Sequence, residues 1–304
     1  MGKIAFVFSG QGAQYPGMGQ ELAAHSAAAR RVFDAADALR PGTSQQCFSA
    51  SAEELCETKN TQPCMFAVEL AAAAALEEAG VHAELGAGFS LGELAALTWA
   101  GAMDFNTGFR MVCRRAAHMQ AAAEAQPTAM AAVLKLDNET VRSLCAQFDA
   151  VYPVNFNCPG QVTVSGAAAQ MDAFCAAVKA AGGRTVPLKV RGGFHSPFMR
   201  SAADAFARDL AESNIGLPAV PVYANRTAEP YAGDARTLLT EQICNPVLWE
   251  RSVRNMVAAG ADTFIELGPG RTLCGLIAKT DKTVRTFAAE RWTDLEQTIA
   301  EVQK

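Results

Sequence analysis

Residues 84–92 read Glu-Leu-Gly-Ala-Gly-Phe-Ser-Leu-Gly, and an Ala/Leu-rich stretch of helical character follows at once. A short apolar run that ends in Gly88-Phe89-Ser90-Leu91-Gly92 and passes directly into a helix has the pattern of a nucleophile elbow. In such a turn the serine takes a strained backbone conformation between strand and helix. The flanking glycines let the two segments cross without a Cβ clash, so the Ser90 hydroxyl projects at a helix N-terminus. Free N–H groups there, chiefly that of Leu91, can receive an oxyanion. Five residues match by chance often enough that strand before and helix after carry much of the weight.

Working outward, Ile4-Ala5-Phe6-Val7-Phe8 is almost wholly apolar, as expected of a strand buried on both faces, and it ends at Ser9-Gly10-Gln11-Gly12. Helices are expected over 20–39 and over 61–79, the second with Thr61 as cap, Pro63 in the first turn and Gly80 as stop. Over 107–123 helical spacing puts Met111, Arg115, His118, Met119 and Ala122 on one side. Arg115 therefore falls on an apolar face, where a guanidinium calls for a partner anion.

Between 127 and 195 the order reads strand 130–136, helix 138–148, strand 152–157, strand 161–166, helix 168–181 and strand 184–190. This β-α-β-β-α-β order is ferredoxin-like. The expectation is a large α/β catalytic subdomain, 1–126 and 196–304, with a mainly parallel sheet, carrying a small inserted subdomain at 127–195. Helix 197–213, a Pro-flanked strand near 220–224, helix 247–259, strand 263–267 and the Gly268-Pro269-Gly270 turn opening a last long helix complete the reading.

With 304 residues and 50% hydrophobic content the chain can bury a large core. A net charge of −5 argues against a nucleic-acid partner. The Ala-rich stretch at 70–76 is too short and too closely flanked by Glu69, Glu77 and Glu78 to span a bilayer. A cytoplasmic enzyme is expected. The nine cysteines are scattered and the four histidines lie outside ligand spacing, so neither a disulfide framework nor a metal site is expected.

A serine nucleophile needs a base, and His195, in Arg191-Gly192-Gly193-Phe194-His195-Ser196-Pro197, is the most loop-like histidine. Spacing alone leaves a structural role for it equally open, and no Asp stands out as a third, orienting group. Gly10-Gln11-Gly12 lacks the remaining marks of a dinucleotide or phosphate loop. Asn155, Asn157 and Gln161 flank a turn and read first as structural, and Trp99 and Trp249 read as packing residues.

Together the motifs form one ordered set: Phe-Ser-Gly-Gln-Gly at 8–12, Thr-Gln-Pro at 61–63, Gly-Phe-Ser-Leu-Gly-Glu at 88–93, Arg115 followed by Met119-Gln120, Asn-Phe-Asn-Cys-Pro-Gly-Gln at 155–161, Phe-His-Ser-Pro at 194–197, Asn-Pro-Val-Leu-Trp at 245–249 and Glu-Leu-Gly-Pro-Gly at 266–270. The set resembles the malonyl-CoA:acyl-carrier-protein transacylases, in order, from residue 4 to about 280.

The resemblance implies that Ser90 carries the acyl group, His195 is base and then acid, and Arg115 pairs with the malonyl carboxylate. It implies an oxyanion hole from Gln11 and the Leu91 N–H, and a histidine oriented by a main-chain carbonyl, expected to be that of Leu248. It further implies a hydrolase-like α/β core with a ferredoxin-like insert, coenzyme A thioester and acyl-carrier-protein phosphopantetheine as substrates, and no bound cofactor or metal. The product would serve fatty acid or polyketide synthesis. Monomer is the default state.

Three positions depart from the family pattern: Phe89 stands where His is usual, Ser9 where Pro is usual, and Gly192-Gly193 precede Phe194. Phe89 makes the pocket wall more apolar, and Phe194 directly before the histidine is similar to malonyl-selective relatives. A serine hydrolase would share Ser, His and oxyanion hole without a use for a buried arginine. A non-catalytic scaffold would have no use for any of the four groups. Lys189, Arg191 and Arg271 are candidates for a basic patch that meets an acidic carrier protein.

Overall fold

The computed structural model describes residues 2–190 and 192–304. Its strands are β1 (Lys3–Phe8), β2 (Leu85–Gly88), β3 (Thr128–Leu134), β4 (Val151–Cys158), β5 (Gln161–Ala167), β6 (Arg184–Pro187), β7 (Val222–Tyr223), β8 (Ala261–Leu267) and β9 (Arg285–Ala289). They form two sheets, a five-stranded one in the order β7-β2-β1-β8-β9 and a four-stranded one in the order β4-β5-β3-β6. Every pairing in the first is parallel and every pairing in the second antiparallel. The fold is therefore α/β with a parallel main sheet and a ferredoxin-like βαββαβ unit.

Strand β1 lies at the centre of the parallel sheet, which accounts for its composition: Ala5, Phe6, Val7 and Phe8 are wholly buried. The rings of Phe6 and Phe8 pack on Trp99 at 5.3 and 5.8 Å. Helix Thr58–Glu78 is buried along most of its length between helices Ala27–Leu39 and Phe105–Glu124. Its alanines permit the close approach that such a central helix needs. In the small unit, Val133, Val162 and Val164 of the sheet pack against Val141 and Phe174 of its two helices, forming a core of their own.

A segment outside the parallel sheet pairs with the small sheet. Val247, in the Asn-Pro-Val-Leu-Trp segment, pairs in parallel with Asn155 of β4. Phe156 N–H donates to the Val247 carbonyl and Val247 N–H to the Val154 carbonyl, both at 2.9 Å.

Several boundaries differ from the sequence reading. The expected helix over 20–39 is two, Gln20–His25 and Ala27–Leu39, because extended Ser26 interrupts the first and caps the second, accepting from Ala29 N–H at 3.0 Å. The helix expected from Thr61 starts a turn earlier at Thr58. The last long helix is in fact Thr272–Thr280 and Trp292–Val302, separated by the edge strand β9. Helix Ala235–Cys244 has no counterpart in the sequence reading, and it supplies a central residue of the site.

Candidate active site

The elbow forms where β2 meets helix Gly92–Trp99. A Cβ on Gly88 would lie 1.9 Å from the Gly92 carbonyl carbon, and one on Gly92 would lie 2.4 Å from the Phe8 carbonyl oxygen. Neither position admits a side chain, because strand, helix and β1 cross there in backbone contact. Ser90 sits between them at φ 57°, in the left-handed region that costs a non-glycine residue about 1–3 kcal/mol. Surrounding bonds hold it: Ser90 N–H donates to Asn225 Oδ1 at 2.8 Å, and the Ser90 carbonyl accepts from Gln242 Nε2 at 2.7 Å.

His195 follows the small sheet and is likewise left-handed, at φ 58°. Its Nε2 lies 2.7 Å from Ser90 Oγ, and its Nδ1 lies 2.8 Å from the Gln242 carbonyl oxygen. A carbonyl can only accept, so Nδ1 carries the proton and Nε2 is left to accept from the serine hydroxyl. The ring is buried, and burial together with the nearby Arg115 cation brings its pKa down to about 4. The imidazole is neutral at physiological pH.

This corrects the expectation for Leu248. Its carbonyl is already engaged by Ser252 N–H at 2.9 Å and the Ser252 hydroxyl at 3.2 Å in the first turn of helix Trp249–Ala258, and Gln242 supplies the orienting oxygen instead. Among the described residues the ring's two partners are the Ser90 hydroxyl and the Gln242 carbonyl.

Arg115 is 1% exposed. One guanidinium nitrogen donates to Gln62 Oε1 at 2.8 Å; the other donates to Gln242 Oε1 at 2.7 Å and to Ser90 Oγ at 3.2 Å. The anion expected beside it is one amide away. Gln242 Nε2 donates to Glu93 Oε2 at 2.6 Å, while Glu93 Oε1 accepts from Asn225 N–H at 2.8 Å and the Tyr231 hydroxyl at 2.7 Å. Desolvation brings Arg115 down to about 10, partly offset by Glu93, which leaves it a cation at neutral pH.

Leu91 is buried and heads helix Gly92–Trp99. Its N–H and that of Gln11 have no acceptor among the described residues. The Gln11 side chain reaches Thr58 Oγ1 at 3.4 Å, and Gln11, Ser90, Leu91 and His195 line one cleft. Its apolar wall comes from Met119, Met130, Val190 and Phe194. Phe89 stands between this cleft and an adjoining one bordered by Asn157, Gln161 and Thr163 as well as Leu188 and Leu276, its ring edge-on to Trp249 at 5.5 Å.

The fold thus brings together Ser90, His195, Arg115, Gln11 and Leu91. It adds Gln242, Asn225, Glu93, Tyr231 and Gln62, to which the sequence reading gave no role. Of these, Gln62 and Glu93 lay inside quoted motifs, whereas Gln242 precedes Asn245-Pro246 by three residues in the unread helix. Lys189 is exposed, Arg271 reaches Asp294 at 3.6 Å, and Arg191 lies outside the described residues.

An elbow serine, a neutral histidine, free N–H groups at a helix start and a buried arginine beside the nucleophile define an acyl-enzyme-forming serine transferase rather than a water-using hydrolase. The Acyl transferase domain family model matches residues 5–294. Malonyl CoA-acyl carrier protein transacylases of Bacillus subtilis (strain 168) and Escherichia coli (strain K12) are both 38% identical, covering 98% and 95% of this chain and 97% and 95% of their own. The crystal structure of the transacylase from Clostridium perfringens is 32% identical with a TM-score of 0.96, over 99% of this chain and 97% of that one. A malonyl-transacylase solved in complex with a type II polyketide acyl-carrier protein is 33% identical with a TM-score of 0.94, over 98% and 99%. The chain belongs to the malonyl CoA-acyl carrier protein transacylase family.

Proposed function

We propose that this chain transfers the malonyl group from malonyl-CoA to the phosphopantetheine thiol of an acyl carrier protein through a malonyl-Ser90 ester, for fatty acid or polyketide synthesis. The observation that carries this reading is Arg115. A buried guanidinium 3.2 Å from the nucleophilic oxygen is suited to an acyl group that ends in a carboxylate.

His195 Nε2 takes the Ser90 proton as Oγ attacks the thioester carbonyl. The Leu91 and Gln11 N–H groups receive the developing oxyanion, and their lack of other acceptors supports that role. Collapse breaks the C–S bond, and the coenzyme A thiol leaves with the proton from His195. In the second half the carrier thiol gives its proton to His195 and attacks the ester carbonyl. The malonyl thioester departs and Ser90 recovers its proton. Gln242 holds the imidazole by its main-chain carbonyl and one arm of Arg115 by its side chain, so one residue sets both base and carboxylate recognition.

The reading includes a monomer working in the cytoplasm, without metal or bound cofactor; among the described residues no helix is long and apolar enough to cross a membrane. Residues 127–195 form the small subdomain and 1–126 with 196–304 the large one. The carrier protein meets a local basic patch that includes Lys189, Arg191 and Arg271, so added salt raises KM for carrier protein more than for malonyl-CoA. Incubation with labelled malonyl-CoA tests the function: the label passes to Ser90 and then to carrier protein in preference to water. Release to water as the main fate would make the chain a hydrolase.

A further inference from the structure

The resting site holds one buried cation and one buried acid that do not touch. Arg115 and Glu93 are each 1% exposed, and the Gln242 side chain joins them, its Oε1 at 2.7 Å from the guanidinium and its Nε2 at 2.6 Å from the carboxylate. Neither charge has a water-exposed side through which to be screened; Glu93 offsets the desolvation of Arg115, while Glu93 is itself held first by hydrogen bonds from Tyr231, Asn225 and Gln242 and then by the Arg115 charge. The remaining groups around Glu93 are Asn225 N–H and the Tyr231 hydroxyl. Among the described residues Tyr231 is the only other titratable side chain in hydrogen-bond contact with Glu93, and its own pKa is held well above the usual phenol value by burial and by Glu93. His195 meets the same Gln242, but through the main-chain carbonyl.

This deepens the malonyl-transfer reading and rests on it. We propose that Glu93 is the resident counter-ion of Arg115, and that a carboxylate-bearing acyl group displaces it electrostatically, so that malonyl loading is coupled to proton uptake by Glu93. A malonyl carboxylate on Arg115 would otherwise leave two anions and one cation in a desolvated pocket. Protonating Glu93 with a proton from solvent restores neutrality. The surroundings fit both states: the Tyr231 hydroxyl donates to the carboxylate and, on rotation, accepts from the carboxyl, while Gln242 Nε2 keeps an acceptor in either. Burial, opposed by those hydrogen bonds and by Arg115, already poises Glu93 at about 7.

The uptake is read directly. Wild-type enzyme is loaded in weakly buffered solution with a pH indicator, once with malonyl-CoA and once with acetyl-CoA; both expel the same thiol, but only one brings a carboxylate. A group half ionised near pH 7 gives an excess of about half a proton per site for malonyl over acetyl, rising toward one by pH 8. Glu93→Gln removes the excess. Tyr231→Phe, which withdraws one donor from the carboxylate, moves the midpoint of the excess to higher pH and serves even where Glu93→Gln does not fold. Equal proton counts for the two thioesters in wild type, or an unchanged excess in Glu93→Gln, overturn the coupling. Intact mass separates this from failure of the underlying function: a malonyl-Ser90 adduct without excess uptake removes only the coupling, whereas no adduct removes the transferase.

Discussion

Arg115→Ala removes the group that distinguishes a malonyl acceptor from a general acyl site. The guanidinium is buried and engages oxygens of Gln62, Gln242 and Ser90, so it is already aimed at the nucleophile before substrate arrives. A hydrogen bond to a charged partner contributes about 1.5–3 kcal/mol. At about 1.4 kcal/mol per factor of ten, malonyl loading falls roughly 10- to 150-fold. Acetyl-CoA has no carboxylate to lose, and its methyl group exchanges a desolvated cation for the apolar wall of Met119 and Met130, so acetyl loading is maintained or rises. The Gln62 and Gln242 oxygens left behind are served by water entering the space the guanidinium vacates. Arg115→Lys keeps the charge but brings one nitrogen where two acceptors need two, and it gives an intermediate ratio. The assay is a competition between malonyl-CoA and acetyl-CoA for Ser90, read as the masses of the two acyl-enzymes. An unchanged ratio in Arg115→Ala would refute carboxylate recognition by this residue.

Ser90→Ala forms no malonyl adduct by intact mass while retaining the parent's melting behaviour, and an adduct on another residue would displace Ser90 as nucleophile. His195→Ala slows both half-reactions about 10²- to 10⁴-fold, checked by single-turnover loading and unloading. Because the imidazole is held neutral down to about 4, acyl transfer loses its base only as pH falls toward that value; an acid limb near the ordinary histidine value of 6.5 would contradict the buried, Arg115-facing geometry. Glu69 is wholly buried, neither carboxyl oxygen has a hydrogen-bond partner among the described residues, and burial raises its pKa well above 4.5. Between 4.5 and that raised value the folded protein binds the extra proton, so Glu69 costs more stability as pH rises. Glu69→Met is therefore stabilising, by a margin that grows from pH 5 to pH 8 in denaturant titrations, and parallel curves would remove the argument.

The parts of the fold legible in sequence were those where burial and geometry leave marks on consecutive residues. Strand β1 could be read because a central parallel strand is apolar on both faces, and the elbow because Gly88 and Gly92 are forced by backbone crossing. The small unit was legible through its regular alternation and turn glycines. Strand β9 and helix Ala235–Cys244 were not, since a half-exposed edge strand and a helix whose inner face carries Gln242 among Leu239 and Ile243 lack a clean apolar period. Gln242 was invisible for a further reason. Its importance lies in what it touches, one group 47 residues away and two more than 100 away along the chain, and no local pattern encodes that. Leu248 was expected from the family resemblance, which points to a main-chain carbonyl in the Asn-Pro-Val-Leu-Trp segment, but the helix that starts at Trp249 consumes that carbonyl.

The pairing of Val247 with Asn155 has a mechanical consequence. Force applied to the edge of the small sheet passes through two backbone bonds to Val247, then from Leu248 N–H to the Asn225 carbonyl at 2.8 Å, and from Asn225 Oδ1 to the backbone of Ser90. No slack segment lies along that route. The small sheet's edge strand and the nucleophile's strained turn are thus two ends of one continuous chain of hydrogen bonds, so the seam between the sheet and the elbow is set by the backbone rather than by packing alone.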